Sequence, residues 1–386
     1  MTNPPFDSKR LDALMDDAGI DWILASSEHN TRYMLGGYRY FFHEHVDAIG
    51  LSRYLPLVGY SKGRPDHAFY VAAANESWQL QVRPIWIERV EVAPVTSTAA
   101  AAKAGALLKD AVRAVRIGFE PAFMPSDAMA ELEAALPGAH FVDATALLET
   151  LRSVKTAQEL DLLRKASRGI VDSMLATFRK ARPGATKDEV GSLYANEIAS
   201  RGLTFDYALI TVGQSLNRAP YAGHWEQGQL LSLDSGGRFR GYIGDLCRMA
   251  VMGQPDSLMN EALQEVEAVQ MAARSAIRAG RPGGGVYQAA LKQVARSPHR
   301  EQMRFVGHGM GLITHEAPRL TDRAVAPYPA THLTQPLEAG MVLSIETHIA
   351  DPQVGFVKLE DTLFVTDDGW EAPGDIGRGW TIAGED

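Results

Sequence analysis

The chain has 386 residues, of which 46% are hydrophobic and 22% charged, and it carries a formal net charge of −9. That length holds two domains with sizeable cores, and the negative balance argues against nucleic acid or an anionic membrane as a partner. Cys247 is the single cysteine, which excludes an intrachain disulfide and a cysteine-based metal site. No apolar run approaches the ~20 residues of a membrane span, and the opening MTNPPFDSKR lacks an apolar signal core, so a cytoplasmic enzyme or binding protein is expected.

The first part alternates helical and strand patterns. Arg10 to Asp17 has helical spacing and stops at Gly19, and Trp22 to Ala25 is a short apolar strand. Leu51 to Tyr60 and Ala68 to Ala73 read as further strands, Thr98 to Val115 as an Ala-rich helix and Val115 to Phe119 as a strand. Ala128 to Leu136 reads as a helix and His140 to Asp143 as a strand, which predicts an α/β domain. Tyr40 to His45 places aromatics beside His43 and His45; it is either the lining of an active-site mouth, that of a partner subunit included, or a surface loop.

A boundary falls near Arg152 to Lys155, giving domains 1–153 and 154–386. Thr156 with Glu159 forms a capping box opening a helix to about Ala181, and Thr186 with Glu189 another opening a helix to about Ser200. Between them lies Arg182-Pro183-Gly184. The pattern recurs: a helix from Leu258 to Ala279 ends at Arg281-Pro282-Gly283, and Val286 to Arg296 continues as another helix. Strand-like segments carrying acids or histidines follow each helix pair, so the second part reads as a duplicated helix-helix-sheet unit of α+β class.

Five side chains in that part are out of place in apolar surroundings. Leu230 to Met249, LLSLDSGGRFRGYIGDLCRM, reads as a β-hairpin. Its first strand ends in Asp234, a turn is expected at Ser235-Gly236-Gly237, and the return strand carries Asp245. Two facing carboxylates repel unless a cation sits between them. His308 is flanked by Gly307, Gly309 and Gly311, with His315 seven residues on. Glu346 lies inside the apolar strand MVLSIETHI and Glu360 inside VKLEDTLFV. Carboxylates are rarely fully buried unless paired. Four carboxylates and one imidazole favour Mn, Fe, Co or Zn over Ca or Mg. Their summed charge of −4 matches two divalent ions. Cys247, two residues past Asp245, reads as a small core residue.

The ordered set Asp234, Asp245, His308, Glu346, Glu360 resembles that of the pita-bread metallopeptidases: methionine aminopeptidase, prolidase, aminopeptidase P and the metal-free relative creatinase. GHGMGL followed by His315-Glu316-Ala317-Pro318, and KLEDTLFVTDDG around Glu360, resemble the family's blocks. Asn30 to Gly37 and the linker RSVKTAQELDLLRKAS resemble the prolidase and creatinase branch. The resemblance implies a pita-bread catalytic domain behind a smaller creatinase-like α/β domain, two divalent metal ions (Mn, Co, Zn or Fe) and a homodimer. It implies that Asp245 and Glu360 bridge the metals, that Asp234 chelates one, and that His308 and Glu346 hold the other. Glu346 would also be the general base on the metal-bound water, and His315 the donor to the substrate carbonyl or the tetrahedral oxyanion. The chain departs from the family in one place. Tyr221 follows Pro220 where a substrate-contacting histidine stands, and His224 comes three residues later; either takes that contact, or the role is gone.

The expected function is hydrolysis of an amide bond in a short peptide or other small molecule, most simply an Xaa-Pro dipeptide. The departure at Asn217 to His224 keeps open a non-peptide C–N substrate, hydrolysed or eliminated at the same metals. A non-catalytic binding protein on the same fold is the third reading.

Overall fold

Residues 3–109, 115–219, 223–323 and 328–384 are described by a computed structural model. The chain forms two units, Met1–Leu151 and Arg152–Asp386.

The first unit is built on a six-stranded sheet. Its order is Arg89–Ala93, Arg64–Ala73, Leu57–Ser61, Trp22–Ala25, Arg116–Phe119, His140–Asp143. Two separate apolar clusters pack in it, one around Ile23, Tyr60 and Tyr70 and one around Leu24, Phe69 and Leu108. The strand expected from Leu51 begins only at Leu57; Pro56, which has no N–H to give a ladder, stands just before it. The Ala-rich helix runs Ser97–Lys109, and its expected end at 110–114 lies outside the described residues. His43 proves to be a core residue: it is buried, its Nε2 lies 3.1 Å from the Tyr70 hydroxyl, and burial lowers its pKa to about 3.

The second unit repeats one arrangement. In its first half, helices α1 (Ala157–Lys180) and α2 (Lys187–Ser200) precede strands β1 (Thr204–Val212), β2 (Leu230–Phe239) and β3 (Tyr242–Met252). In its second half, α3 (Ser257–Ser275) and α4 (Gly284–Val294) precede β4 (Met303–Gly309), β5 (Val342–Asp351) and β6 (Gly355–Val365). The strands join in one sheet in the order β4-β5-β6-β3-β2-β1, so the halves meet where β6 lies against β3. The capping boxes form as the sequence predicts: Thr156 N donates to Glu159 at 2.8 Å, and Thr186 N to Glu189 at 2.8 Å. Glu159 also accepts from the Tyr242 hydroxyl at 2.8 Å, which ties the start of α1 to the start of β3. Leu163, Ala166, Ile170, Met174 and Phe178 form the buried stripe of α1 at helical spacing, and each large apolar side chain so buried contributes ~1.5–3 kcal/mol.

The expected hairpin exists, but its turn is elsewhere. β2 runs on through Ser235-Gly236-Gly237 to Phe239, and Phe239 pairs with Tyr242 around a two-residue turn. Arg240 and Gly241 both have positive φ, 49° and 90°, the geometry that matches the twist of a hairpin. Gly236 is in the strand for another reason: a Cβ there would lie 2.5 Å from the Tyr207 ring.

The face of the sheet opposite to that of Glu360 carries its own buried charge. Asp361 of β6 accepts from Arg248 at 2.7 Å, pairs with Arg274 at 2.9 Å and also meets Arg378. Burial would raise its pKa, but the three guanidiniums outweigh burial and hold it well below the carboxylate range. A depressed folded pKa means that the stabilisation is present above the unfolded value of ~4 and is lost as pH falls toward the folded one. Asp361→Ala is expected to leave buried Arg248 and Arg274 without their shared counter-charge and to lower unfolding free energy by ~3–5 kcal/mol. Urea unfolding at pH 7 checks this, and the wild-type advantage over the variant should shrink on acidification below about pH 4.

Candidate metal centre

Residues two apart on a strand face the same side, and the register of this sheet turns that rule into two rows. Asp234 of β2 lies opposite Cys247 of β3, Cys247 opposite Glu360 of β6, and Glu360 opposite Glu346 of β5. One row therefore runs across four strands. Two residues along, Asp245 lies opposite Gly236, Thr362 opposite Ser344, and Ser344 opposite His308. Thr362 links the halves of this second row, its Oγ1 lying 3.4 Å from Asp245 N. The five expected ligands thus occupy one face, three in the first row and two in the second.

They converge. Ligand atoms of Asp245, His308 and Glu360 lie within 4.8 Å of one another, as do those of Asp234, Glu346 and Glu360. His308 Nε2 stands 3.9 Å from Glu360 and 4.0 Å from Glu346. The cavity they line has a volume of about 320 Å³, and Tyr207, Arg218, His315 and Lys358 line it too. Gly309 keeps the His308 strand close to the following loop, since a Cβ there would lie 2.2 Å from Pro318 N.

The electrostatics follow from burial. Burial and the neighbouring Asp234 push Asp245 up to about 8. Burial, with Asp245 close by, also raises Glu360 well above its usual range. Burial acts on Glu346 in the same direction, but Lys358 outweighs it and brings that carboxyl down to about 2. Burial lowers His308 to about 4, so its ring is neutral at pH 7. Its Nδ1 donates to the Gly309 carbonyl at 3.3 Å, which leaves the Nε2 lone pair buried and without a protein partner. Such a nitrogen, aimed between carboxylates, is the donor that a divalent ion takes. The triad Asp245–His308–Glu360 therefore fits a metal.

The other candidates separate. His315 stands exposed at the cavity wall, its ring stacked 3.8 Å from that of His308. Its loop is anchored by the next residue, Glu316, which binds Arg152 at 3.0 Å and Lys155 at 3.1 Å in a fully buried triad. His224 is exposed on the short strand His224–Trp225, its Nδ1 donates to the Gly184 carbonyl at 3.0 Å, and it is not among the described residues that line the cavity. The reason is local pairing, since that strand binds Ala185–Thr186, just before α2. Tyr221 lies outside the described residues. Cys247 is buried, and burial pushes its thiol up, as suits a core residue.

Three side chains of the site were not anticipated. Tyr207 donates to Asp245 at 2.5 Å from β1, a strand that the sequence pattern did not suggest. Arg218 pairs with Asp234 and lies over the Phe356 ring at 5.3 Å. Lys358 reaches three carboxylates at once. Its signal was present in the sequence: it precedes Glu360 by two residues and so shares its face.

Residues 161–367 match metallopeptidase family M24, and residues 8–154 match the creatinase/prolidase N-terminal domain. The uncharacterized peptidase YqhT of Bacillus subtilis is 24% identical over 94% of this chain and 95% of its own. The probable dipeptidase PepE of Mycobacterium bovis is 33% identical, over 64% of this chain and 64% of its own. Among solved structures, the Xaa-Pro dipeptidase of Bacillus anthracis superposes with a TM-score of 0.80, covering 97% of this chain and 98% of that one at 24% identity, a likeness of fold. With family matches over both parts of the chain and the M24 match spanning more than half of it, this protein belongs to metallopeptidase family M24 and carries the creatinase/prolidase N-terminal domain.

Proposed function

We propose that the chain is a metal-dependent peptidase that hydrolyses the amide bond of Xaa-Pro dipeptides or short peptides beginning Xaa-Pro. One observation carries the reading: Asp234, Asp245, His308, Glu346 and Glu360 line a single cavity with His315 at its wall. The names of relatives supply the substrate class, a dipeptidase in PepE and an Xaa-Pro dipeptidase in the B. anthracis protein. The volume of about 320 Å³ suits a dipeptide-sized group, at the lower end of the ~300–1,000 Å³ of small-molecule sites.

A divalent ion bound by Asp245, His308 and Glu360 would lower the pKa of water and polarise the scissile carbonyl. The chain's own groups do the rest. Glu346, the most open of the four carboxylates, takes the proton of the attacking water and returns it to the leaving amine. His315 donates to the carbonyl oxygen as negative charge gathers there. Tyr207 fixes one oxygen of Asp245 at 2.5 Å, and Ser344 one oxygen of Glu360 at 2.8 Å, so neither carboxylate swings away.

A second reading keeps this site and changes the substrate to a non-peptide C–N compound. It is favoured by Arg218, which lines the cavity while His224 turns away from it. Protein loaded in turn with Mn, Co, Zn or Fe and offered Xaa-Pro dipeptides and tripeptides should release the first amino acid. Turnover of none of these peptides with any of the metals would reject the peptidase reading and leave the metabolite one to a substrate screen.

Glu360→Ala is expected to lose bound metal and activity together, measured by elemental analysis beside the peptide assay. His315→Ala should keep its metal and lose ~10²–10³ in kcat, the cost of one oxyanion donor. A His315→Ala enzyme of undiminished kcat would remove that residue from the mechanism.

A further inference from the structure

The family resemblance implies two ions, and four carboxylates taken alone suit two. The structure adds two cations to that balance. Lys358 is 2% exposed, and its Nζ lies 2.5 Å from Asp234, 2.5 Å from Glu346 and 2.8 Å from Glu360. These three residues are the same three that form the second possible metal group. An ammonium has three N–H donors and no acceptor, and each here has one carboxylate oxygen at charge-assisted hydrogen-bond distance. Arg218, always protonated, engages Asp234 as well.

We propose that this chain binds one divalent ion, at Asp245–His308–Glu360, and that the Lys358 ammonium stands as a fixed cation in the Asp234–Glu346–Glu360 group in place of a second ion. The inference rests on the metal-dependent reading above. Lys358 and Arg218 reduce the carboxylate charge of −4 to −2, which one divalent ion neutralises. A second ion in the Asp234 group would lie within a few ångströms of the ammonium, and like charges at that distance in a buried site repel strongly. The first triad shares only Glu360 with the ammonium, and on different oxygens: Lys358 bonds Oε2, whereas Oε1 faces His308. Neither cation forms an ion pair with Asp245 or His308 among the described residues, and the His308 Nε2 lone pair has no protein partner. Lys358 thereby has a positioning role, bridging Glu346 and Glu360 and fixing their orientation.

The test is the metal stoichiometry of the full chain. Metal-free protein is equilibrated with Mn²⁺, bound metal is counted by equilibrium dialysis with elemental analysis, and the electron paramagnetic resonance spectrum is recorded. One Mn²⁺ per wild-type chain at saturation, with the six-line signal of an isolated ion, is expected. Two ions per chain, or an exchange-coupled spectrum, overturns the proposal. Zero ions overturns the metal-dependent reading itself, so the two failures are distinct. Lys358→Met and Lys358→Gln should each admit a second ion and show exchange coupling; a folded variant that still stops at one ion would also overturn the assignment to Lys358. Should neither variant fold, the wild-type count decides by itself. Asp234→Ala should weaken binding of the single ion less than tenfold, whereas His308→Ala should weaken it more than a hundredfold. An equal loss in both would place the ion in the wrong triad and sink the proposal.

Discussion

Four carboxylates on one face of a sheet, three of them in a single row, repel one another, and their burial makes that repulsion costly. The second unit is arranged around answers to this problem. Lys358 bonds to Asp234, Glu346 and Glu360, Arg218 to Asp234, Tyr207 to Asp245 and Ser344 to Glu360. What protein groups do not answer is a place for a divalent ion beside His308. The same rule operates on the opposite face, where Asp361, the neighbour of Glu360, is surrounded by arginines. One Glu-Asp dipeptide on a strand thus serves chemistry on one side and stability on the other, because successive side chains point to opposite faces.

The duplicated architecture explains why neither half suffices. The first half contributes Asp234 and Asp245, the second His308, Glu346 and Glu360. They come into reach only because β3 lies against β6, with Cys247 opposite Glu360. A residue at that seam must be small enough to leave the row intact, and Cys247, fully buried between Asp234 and Glu360, meets that demand as a compact apolar side chain. The loop bearing His315 is held separately by Glu316 through Arg152 and Lys155, so the wall of the cavity is anchored to the segment that leads into α1.

Much of this was legible in the chain. Capping boxes at Thr156 and Thr186 mark real helix starts because their hydrogen bonds span three residues and need nothing distant. Acids inside apolar strands, Glu346 and Glu360, were conspicuous because burial without a partner is costly. Other features depended on partners remote in sequence. Ser235-Gly236-Gly237 resembles a turn, yet Gly236 serves to admit the Tyr207 ring from β1, and the turn falls to Arg240-Gly241. His224 resembled a substrate contact by its place in the chain, and its strand pairs with Ala185–Thr186, just before α2.

By itself, then, the order and spacing of residues determined most of the elements, the duplication and the roster of metal-seeking side chains, since periodicity, capping and the cost of a buried charge are local matters. The tertiary structure alone decided which carboxylate meets which cation. The strand register aligns Asp234, Glu360 and Glu346 in one row and brings Lys358 within bonding distance of all three. That alignment depends on the pairing of Cys247 with Glu360, which joins segments more than a hundred residues apart, and Coulomb energy at 3 Å is set by distance in space, which no spacing along the chain records.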